Sequence, residues 1–263
     1  MRDPYVQVFR KYLIFISTIF IFQSCYHYHV LRDYKSVGNT VPGNTKIALV
    51  GFYPYKFNTI RAGSHSMVLV TDLDEKSPTW KYFTQGQSLN DFPVKGIDST
   101  VPPDRVKEFV NTYRSYVGMY GDGELRKLVQ WSGEAEKESY LFKKRDVDFY
   151  VLGIHGPENE TNNYGNSFRA IISYPFSVLT LGMIPVWSTR DIHSTFFVYD
   201  KQLQLLGKKE FKYKATVFGA WWGRKEEGLF DSELPQNYRN SIYKADVEEF
   251  ADFFPSFSPQ IKK

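Results

Sequence analysis

Cys25 is the only cysteine of this 263-residue chain, and it is the side chain with the clearest chemical use. A single cysteine cannot form an internal disulfide, and it is too few for any cysteine-based zinc pattern. Ser24, a small residue, precedes it, and an uncharged run from Tyr12 to Phe22 comes before that. Basic residues precede this run, and the order of charge, apolar run, small residue and cysteine is typical of an export leader. We therefore predict cleavage before Cys25 and attachment of lipid to its sulfur.

The apolar run sets the kind of leader. From Tyr12 to Phe22 it has 11 residues, whereas a helix needs roughly 20 to cross a bilayer. We therefore predict a leader that is removed, with an uncleaved N-terminal anchor or an ordinary signal peptide as the alternatives. One acyl chain binds a membrane only marginally, so stable attachment requires the two or three chains that lipoprotein maturation adds.

The residues around the cysteine carry a family resemblance. Phe22-Gln23-Ser24-Cys25 resembles a relaxed lipobox of spirochaetal lipoproteins, departing from the usual Leu-Ala-Gly-Cys pattern at Phe22 and Gln23. Tyr26 follows the cysteine, where some families use Asp to retain lipoproteins in the inner membrane. The resemblance therefore implies a lipid-anchored protein of the outer membrane, with membrane lipid as its partner through acylated Cys25 and other envelope or host proteins as further partners.

The five histidines are the next candidates for chemistry. A pair two residues apart could bind a metal, but no third ligand is close in sequence, so solvated side chains are favoured. His155 stands between Gly153 and Gly156 at a predicted strand end, where α/β folds often place working residues. A structural histidine is favoured there because no nucleophile or acid can be assigned to it, and a ligand pocket is the alternative. The histidines are His27, His29, His65, His155 and His193.

Two apolar segments have an alternative use. Trp221, Trp222 and Arg224 could join a ligand pocket or touch a membrane, because flat rings beside a cation suit both, but core packing is favoured. The segment from Phe168 to Trp187 is the most apolar of the mature chain and is uncharged from Ala170 onward. It could enter a bilayer, although its two prolines favour a buried helix and turn.

The motifs of common enzymes are missing. Neither Gly-x-Ser-x-Gly nor Ser-x-x-Lys occurs in a usable setting, and no phosphate loop ends in Gly-Lys-Ser/Thr. The acidic clusters at 72–75 and 121–124 lack calcium-loop spacing and suggest turns. A formal charge of +4 is too mild for a nucleic-acid footprint. We predict a non-catalytic protein with a structural or interaction role that uses no cofactor, metal or nucleic acid. The alternative is a periplasm-facing enzyme or small-ligand binder with a pocket near His155.

The elements that must position these residues follow from hydrophobic periodicity. Apolar runs predict strands at 46–54, 66–71 and 146–156, and alternation predicts a hairpin of 192–199 with 208–218. Asp104 is expected to cap a helix with one apolar face, formed by Val106, Phe109, Val110 and Tyr113. A second helix is predicted from Gly123 onward, with an apolar stripe through Leu125, Leu128, Val129 and Ser132. A further helix is predicted near 242–254. The predicted fold is an α/β or α+β single mixed-sheet layer domain with flanking helices.

These assignments divide the chain into a leader at 1–24, a flexible tether at 25–45, a globular domain at 46–232 and a C-terminal helix and tail at 233–263. The body also resembles uncharacterised leptospiral-type lipoproteins. The residues that carry this resemblance are Ile47–Pro54, Asp148–Gly156, Leu179–Ser188 and Phe196–Asp200. It implies an envelope location and a small α/β domain, and it implies no activity.

Overall fold

A computed structural model describes residues 25–29, 34–38, 43–61, 67–132, 139–156, 159–160, 164–180, 184–220 and 236–257. The chain divides into two compact units. The larger unit comprises residues 32–157, 193–212 and 240–263, and the smaller comprises 1–31, 158–192 and 213–239. The predicted leader at 1–24 lies outside the described residues.

The described elements combine helices with a mixed sheet, which confirms the predicted α/β or α+β class. The strands are β1 (Cys25–His29), β2 (Ile47–Gly51), β3 (Tyr55–Arg61), β4 (Met67–Leu73), β5 (Gln87–Ser88), β6 (Val129–Ser132), β7 (Ser139–Phe142), β8 (Phe149–His155), β9 (Asn159–Glu160), β10 (Val186–Asp200) and β11 (Leu205–Ala220). The helices are α1 (Pro103–Val117), α2 (Asp122–Leu128), α3 (Tyr164–Leu179) and α4 (Gln236–Phe253).

The larger unit is built on five strands in the order β11-β10-β8-β2-β5. β2 runs parallel to β8 and β5, and β10 runs antiparallel to β8. Every residue of β2 and β8 is buried, as expected of parallel strands that are covered on both faces. The strands predicted at 46–54, 66–71 and 146–156 are therefore confirmed, and β8 is central.

Helix α1 covers one face of this sheet. Its predicted face of Val106, Phe109, Val110 and Tyr113 is buried in the main core. Asp104 does not cap the helix, because the N-cap is Pro102 and no side chain bonds there. Pro at the first position needs no hydrogen-bond donor, and the carboxylate of Asp104 in the first turn favours the helix dipole instead.

Within the larger unit, helix α4 and the residues after it contribute to an aromatic cluster. Phe250 stacks on Phe196 of β10 at 4.5 Å between ring centroids, and Phe254 meets Phe83 edge to face. All four rings are fully buried, which places the predicted C-terminal helix inside the core of this unit.

The second predicted helix is shorter than expected. Helix α2 ends at Leu128, and Val129 opens strand β6, which pairs with β7. Val129 and Trp131 are β-branched and aromatic, so they suit a paired strand better than a helix. The helical stripe predicted through Val129 and Ser132 was therefore wrong, and it missed a hairpin.

The predicted hairpin at the end of the sheet is confirmed and longer than expected. β10 and β11 are hydrogen-bonded neighbours joined by residues 201–204. The turn closes with the Asp200 amide donating to Gln204 O and the Leu203 amide donating to Asp200 O. In the larger unit Phe211 is buried while Glu210 and Lys212 are exposed, which matches the predicted alternation.

The smaller unit contains β1 paired antiparallel with the end of β11, so that Cys25 lies opposite Ala220. It also contains β9 against the start of β10 and helix α3. Contrary to the prediction of a buried helix, the large apolar side chains of α3 from Ile172 to Leu179 are exposed. None of the described helices is both long enough and apolar enough to cross a membrane.

Residues 34–38, within the predicted tether, are bonded to the C-terminal helix. Asp252 of α4 accepts hydrogen bonds from Tyr34 Oη at 2.7 Å and Ser36 Oγ at 3.0 Å. It also accepts the amides of Val37 at 2.6 Å and Gly38 at 3.1 Å. Four donors on one carboxylate form a clamp, which we call the Asp252 clamp, and each bond to a charged acceptor is stronger than a neutral one.

We expect Asp252→Ala to release this segment. Loss of hydrogen bonds to a charged group costs about 1.5–3 kcal/mol, so amide exchange at Val37 and Gly38 should accelerate by roughly 10- to 100-fold. Hydrogen exchange followed by mass spectrometry measures this. Asp252→Asn, which keeps one carbonyl acceptor, should give an intermediate rate. Equal exchange in all three proteins would show that the clamp does not hold the segment.

Candidate functional site

The most developed polar cluster of the larger unit surrounds His155, the last residue of β8. β2 and β8 are parallel, so their carboxyl ends meet at this edge. Gly51 has a φ of +77°, and a Cβ there would lie 2.5 Å from Gly153 O, so the turn after β2 requires glycine. Phe52 follows with a φ of +63°, and its amide donates to Gly153 O at 2.7 Å. This turn aims the Phe52 carbonyl at Thr79.

Four side chains form a continuous hydrogen-bonded row, which we call the His155 relay. His155 Nε2 lies 2.6 Å from Thr79 Oγ1, and His155 Nδ1 lies 2.9 Å from Ser194 Oγ. Ser194 Oγ lies 2.5 Å from Asp246 Oδ2. Thr79 Oγ1 is also 2.9 Å from the Phe52 carbonyl. The row therefore joins a loop, strands β8 and β10, and helix α4.

The protons of the relay can be arranged in two ways, because a neutral imidazole has one donor and one acceptor. With Asp246 ionised, Ser194 donates to Asp246, Nδ1–H donates to Ser194, and Nε2 accepts from Thr79. With Asp246 protonated, Asp246 donates to the Ser194 hydroxyl, and Ser194 in turn donates to His155 Nδ1. His155 Nε2–H then donates to Thr79 Oγ1, which donates to the Phe52 carbonyl. Every position of the row is satisfied in both arrangements.

Burial determines the charge of the ring. His155, Ser194, Thr79 and Asp246 are each at most 1% exposed. Burial, together with a smaller effect of the nearby His193, lowers the pKa of His155 to about 3. The desolvation of a charged imidazole is the cause. His155 is therefore neutral at ordinary pH.

The relay contains the hydroxyl, imidazole and acid that nucleophilic enzymes use, with the Ser194 hydroxyl inserted between the imidazole and the acid. However, the Tyr243 ring lies 4.1 Å from the His155 ring between centroids, and Phe196 covers another side at 6.1 Å. Tyr243 also donates its hydroxyl to Gly156 O at 3.2 Å. The two rings pack against the imidazole and all four relay side chains are buried, so the arrangement connects strands β8 and β10 to helix α4 within the core.

The other predicted site residues do not join this cluster in the described part of the chain. Trp221, Trp222 and Arg224 lie outside the described residues, as does His65. Cys25 lies in β1 together with His27 and His29. No group of three or more His, Cys, Asp or Glu side chains able to hold a metal is found among the residues that are described.

Thr79, Ser194 and Asp246 were not predicted as partners of His155. One signal in the sequence pointed to Asp246, because it shares a helical spacing with Tyr243 and Phe250 on an apolar face. A charged residue on such a face requires a buried partner. No local spacing pointed to Thr79 or Ser194.

A separate cleft of about 670 Å³ lies at the amino end of β2. Its lining includes Lys46, Lys95, Gln87 and Asp146. Asp146 bonds Lys46 at 2.7 Å and lies 3.6 Å from Lys95, so the two cations share one acidic partner. The cleft contains no part of the relay, since Ile47 and His155 stand at opposite ends of the parallel pair.

The chain matches no protein-family model and no curated protein sequence. The described geometry therefore has to be interpreted from its own residues. It provides a mixed α/β fold, a sealed polar relay and a strand that begins at the lone cysteine.

Proposed function

We propose that this protein is a lipid-anchored lipoprotein of a bacterial cell envelope, held by acyl chains on Cys25, in which the α/β fold has a non-catalytic structural or interaction role. The observation that carries the proposal is the lone cysteine placed after a basic, apolar and small-residue leader. An outer-membrane location is part of the proposal, and it rests on the lipobox resemblance.

The start of β1 supports this proposal. Cys25 is its first residue and pairs with Ala220 at the last position of β11. An anchor at the end of a paired strand would connect lipid to folded structure without a long intervening linker.

The sealed state of the His155 relay supports the non-catalytic part. Enzyme nucleophiles and bases must reach substrate within hydrogen-bonding distance. Thr79 and His155 are each 1% exposed, and their neighbours are aromatic core side chains. The relay is better explained as a connection that specifies how α4 packs onto β8 and β10.

Metabolic labelling with radioactive palmitate tests the anchor. The wild-type chain should carry label, and Cys25→Ala should lose essentially all of it, because no other thiol exists. His27→Ala provides a matched control two residues away and should label like the wild type. Label that persists in Cys25→Ala, or a wild-type chain without label, would refute the proposal. Intact-mass measurement of the native protein should find a mature chain that begins at acylated Cys25.

A further inference from the structure

Helix α3 exposes the wrong side chains for a helix facing water. Tyr174, Phe176, Val178 and Leu179 are 64%, 52%, 60% and 79% exposed. In a water-facing helix the apolar side chains form the buried stripe and polar ones cover the outer face. The described end of α3 has the opposite arrangement.

In the described part of α3, from Ile172 to Leu179, the serine side chains point inward. Ser173 and Ser177, four residues apart and so on one face, are 2% and 9% exposed. Small hydroxyl residues on the protein-facing side and large apolar residues on the outer side are the arrangement of helices in contact with lipid. The burial pattern thus indicates an apolar surrounding on the outer side.

The polar groups at the end of α3 are satisfied within the chain. Thr180 donates its hydroxyl to Phe176 O at 2.7 Å and lies 3.3 Å from Ser177 O. The Ile184 amide donates to Thr180 Oγ1 at 3.1 Å. Self-satisfaction matters in hydrocarbon, where no water replaces a missing partner.

Length and charge define the type of lipid contact. α3 has 16 residues, a length of about 24 Å at 1.5 Å per residue, which is short of the ~30 Å hydrocarbon core. The chain carries no charge from Ala170 to Thr189, and Arg169 and Arg190 flank that stretch. An uncharged stretch bounded by two cations, of which Arg169 belongs to α3 itself, suits the boundary between acyl chains and anionic headgroups.

We propose that the outer face of α3, formed by Ile172, Tyr174, Phe176, Val178 and Leu179, is a second membrane contact, embedded in the headgroup and acyl boundary of the bilayer that holds the anchor. The inference rests on the proposed function for the position of that bilayer. α3 and Cys25 belong to the same compact unit, so acyl chains on Cys25 would keep the helix close to a lipid surface.

Lipid is favoured over a protein partner because, among the α3 side chains that the structure describes, the exposed ones form no polar rim of the kind that a protein interface has. Such interfaces surround an apolar centre with side chains that donate and accept hydrogen bonds. The exposed side chains here are apolar or aromatic, and Tyr174 has the amphipathic ring that is enriched at membrane interfaces.

Site-directed fluorescence tests the contact. Two samples carry Val178→Cys labelled with an environment-sensitive NBD probe. One is the acylated protein, in which lipid blocks the Cys25 sulfur, and the other has the Cys25→Ser background. Each sample is mixed with phosphatidylcholine and phosphatidylglycerol vesicles that contain a shallow doxyl-lipid quencher. We expect at least a twofold loss of emission. Met119→Cys, at a residue that is 86% exposed in the larger unit, is the matched control and should keep its emission.

The outcomes separate this inference from the anchor. Quenching at position 178 supports the α3 contact whether or not palmitate labelling succeeds, because the Cys25→Ser sample reports α3 alone at high lipid concentration. Palmitate label with no quenching at 178 overturns the α3 contact and leaves the anchor intact. A probe at 178 that is shielded only when another protein is added, and not by vesicles, also overturns it.

A charge variant provides a second measurement. In the Cys25→Ser background, Val178→Asp with Leu179→Asp should reduce the fraction that floats with the vesicles at least tenfold. Both side chains are exposed, so folding should be preserved, as circular dichroism can verify. Met119→Asp should leave flotation unchanged. Equal flotation of the α3 variant and its parent would refute the contact.

Discussion

Asp246→Ala is expected to lower the free energy of unfolding by about 3 kcal/mol. The change removes the acidic end of the His155 relay and leaves the fully buried Ser194 hydroxyl with His155 Nδ1 but without its carboxylate partner. It also leaves a small void beside α4 and β10. For a protein of this size the loss corresponds to a decrease of roughly 6–12 °C in Tm, which differential scanning calorimetry can measure.

Asp246→Asn is the matched variant, because it keeps the volume and can either accept from Ser194 or donate to it. We expect it to cost at most about 1 kcal/mol if the protonated arrangement of the relay is the native one. A cost near that of alanine would instead assign the ionised arrangement. The structural role of the relay would be contradicted if Asp246→Ala unfolded at the wild-type temperature.

Mild acid is expected to destabilise the protein through His155. Burial lowers the pKa of this ring to about 3, against an ordinary value of 6.5. Between pH 6.5 and about pH 3 the imidazole binds a proton in the unfolded chain but not in the native protein. The free energy of unfolding therefore decreases as the pH falls. The contribution is fully present above pH 6.5 and is lost by about 1.4 kcal/mol per pH unit down to about pH 3.

Urea unfolding at pH 8 and pH 5 measures this effect, and about 2 kcal/mol should be lost between them through this group. His155→Asn keeps a side-chain donor and acceptor but cannot titrate, so it should reduce the pH dependence by that amount. Comparing the two proteins cancels the pH dependence that comes from the carboxylates they share. If wild type and variant lose the same stability between these pH values, the ring does not remain neutral in the native state.

The elements with strong periodicity could be predicted from the sequence. β8 has an unbroken apolar run, as a strand covered on both faces requires. Five apolar residues of α1 recur at helical spacing on one face and are buried: Val106, Phe109, Val110, Tyr113 and Val117. In these segments, local pattern and tertiary environment agree.

The failures occurred where tertiary pairing decided the outcome. Val129 continues the apolar stripe of α2, yet its pairing with Phe142 makes it the first residue of a strand. We expected α3 to be buried because apolar residues usually are. In the structure Ser173 and Ser177 are buried instead, and the large apolar side chains from Ile172 to Leu179 are exposed. Periodicity gives the faces of a helix but does not say which face meets the protein.

The relay could be located only in part. His155 was identified at a strand end beside two glycines, and that position is confirmed. Its neighbours Thr79 and Ser194 lie 76 and 39 residues away in sequence, so no motif could connect them. The fold, rather than any spacing, assembles the row.

The Asp252 clamp also constrains the order in which the molecule can form. Tyr34 and Asp252 are separated by 218 positions. A nascent chain leaves the ribosome from its N-terminus, so this contact cannot close until the final helix has emerged. Contacts of such wide separation slow folding, because the chain must close a long loop before it gains the interaction. Residues 34–38 therefore remain unbonded to α4 until that helix has been synthesised, and their docking is a late step of folding.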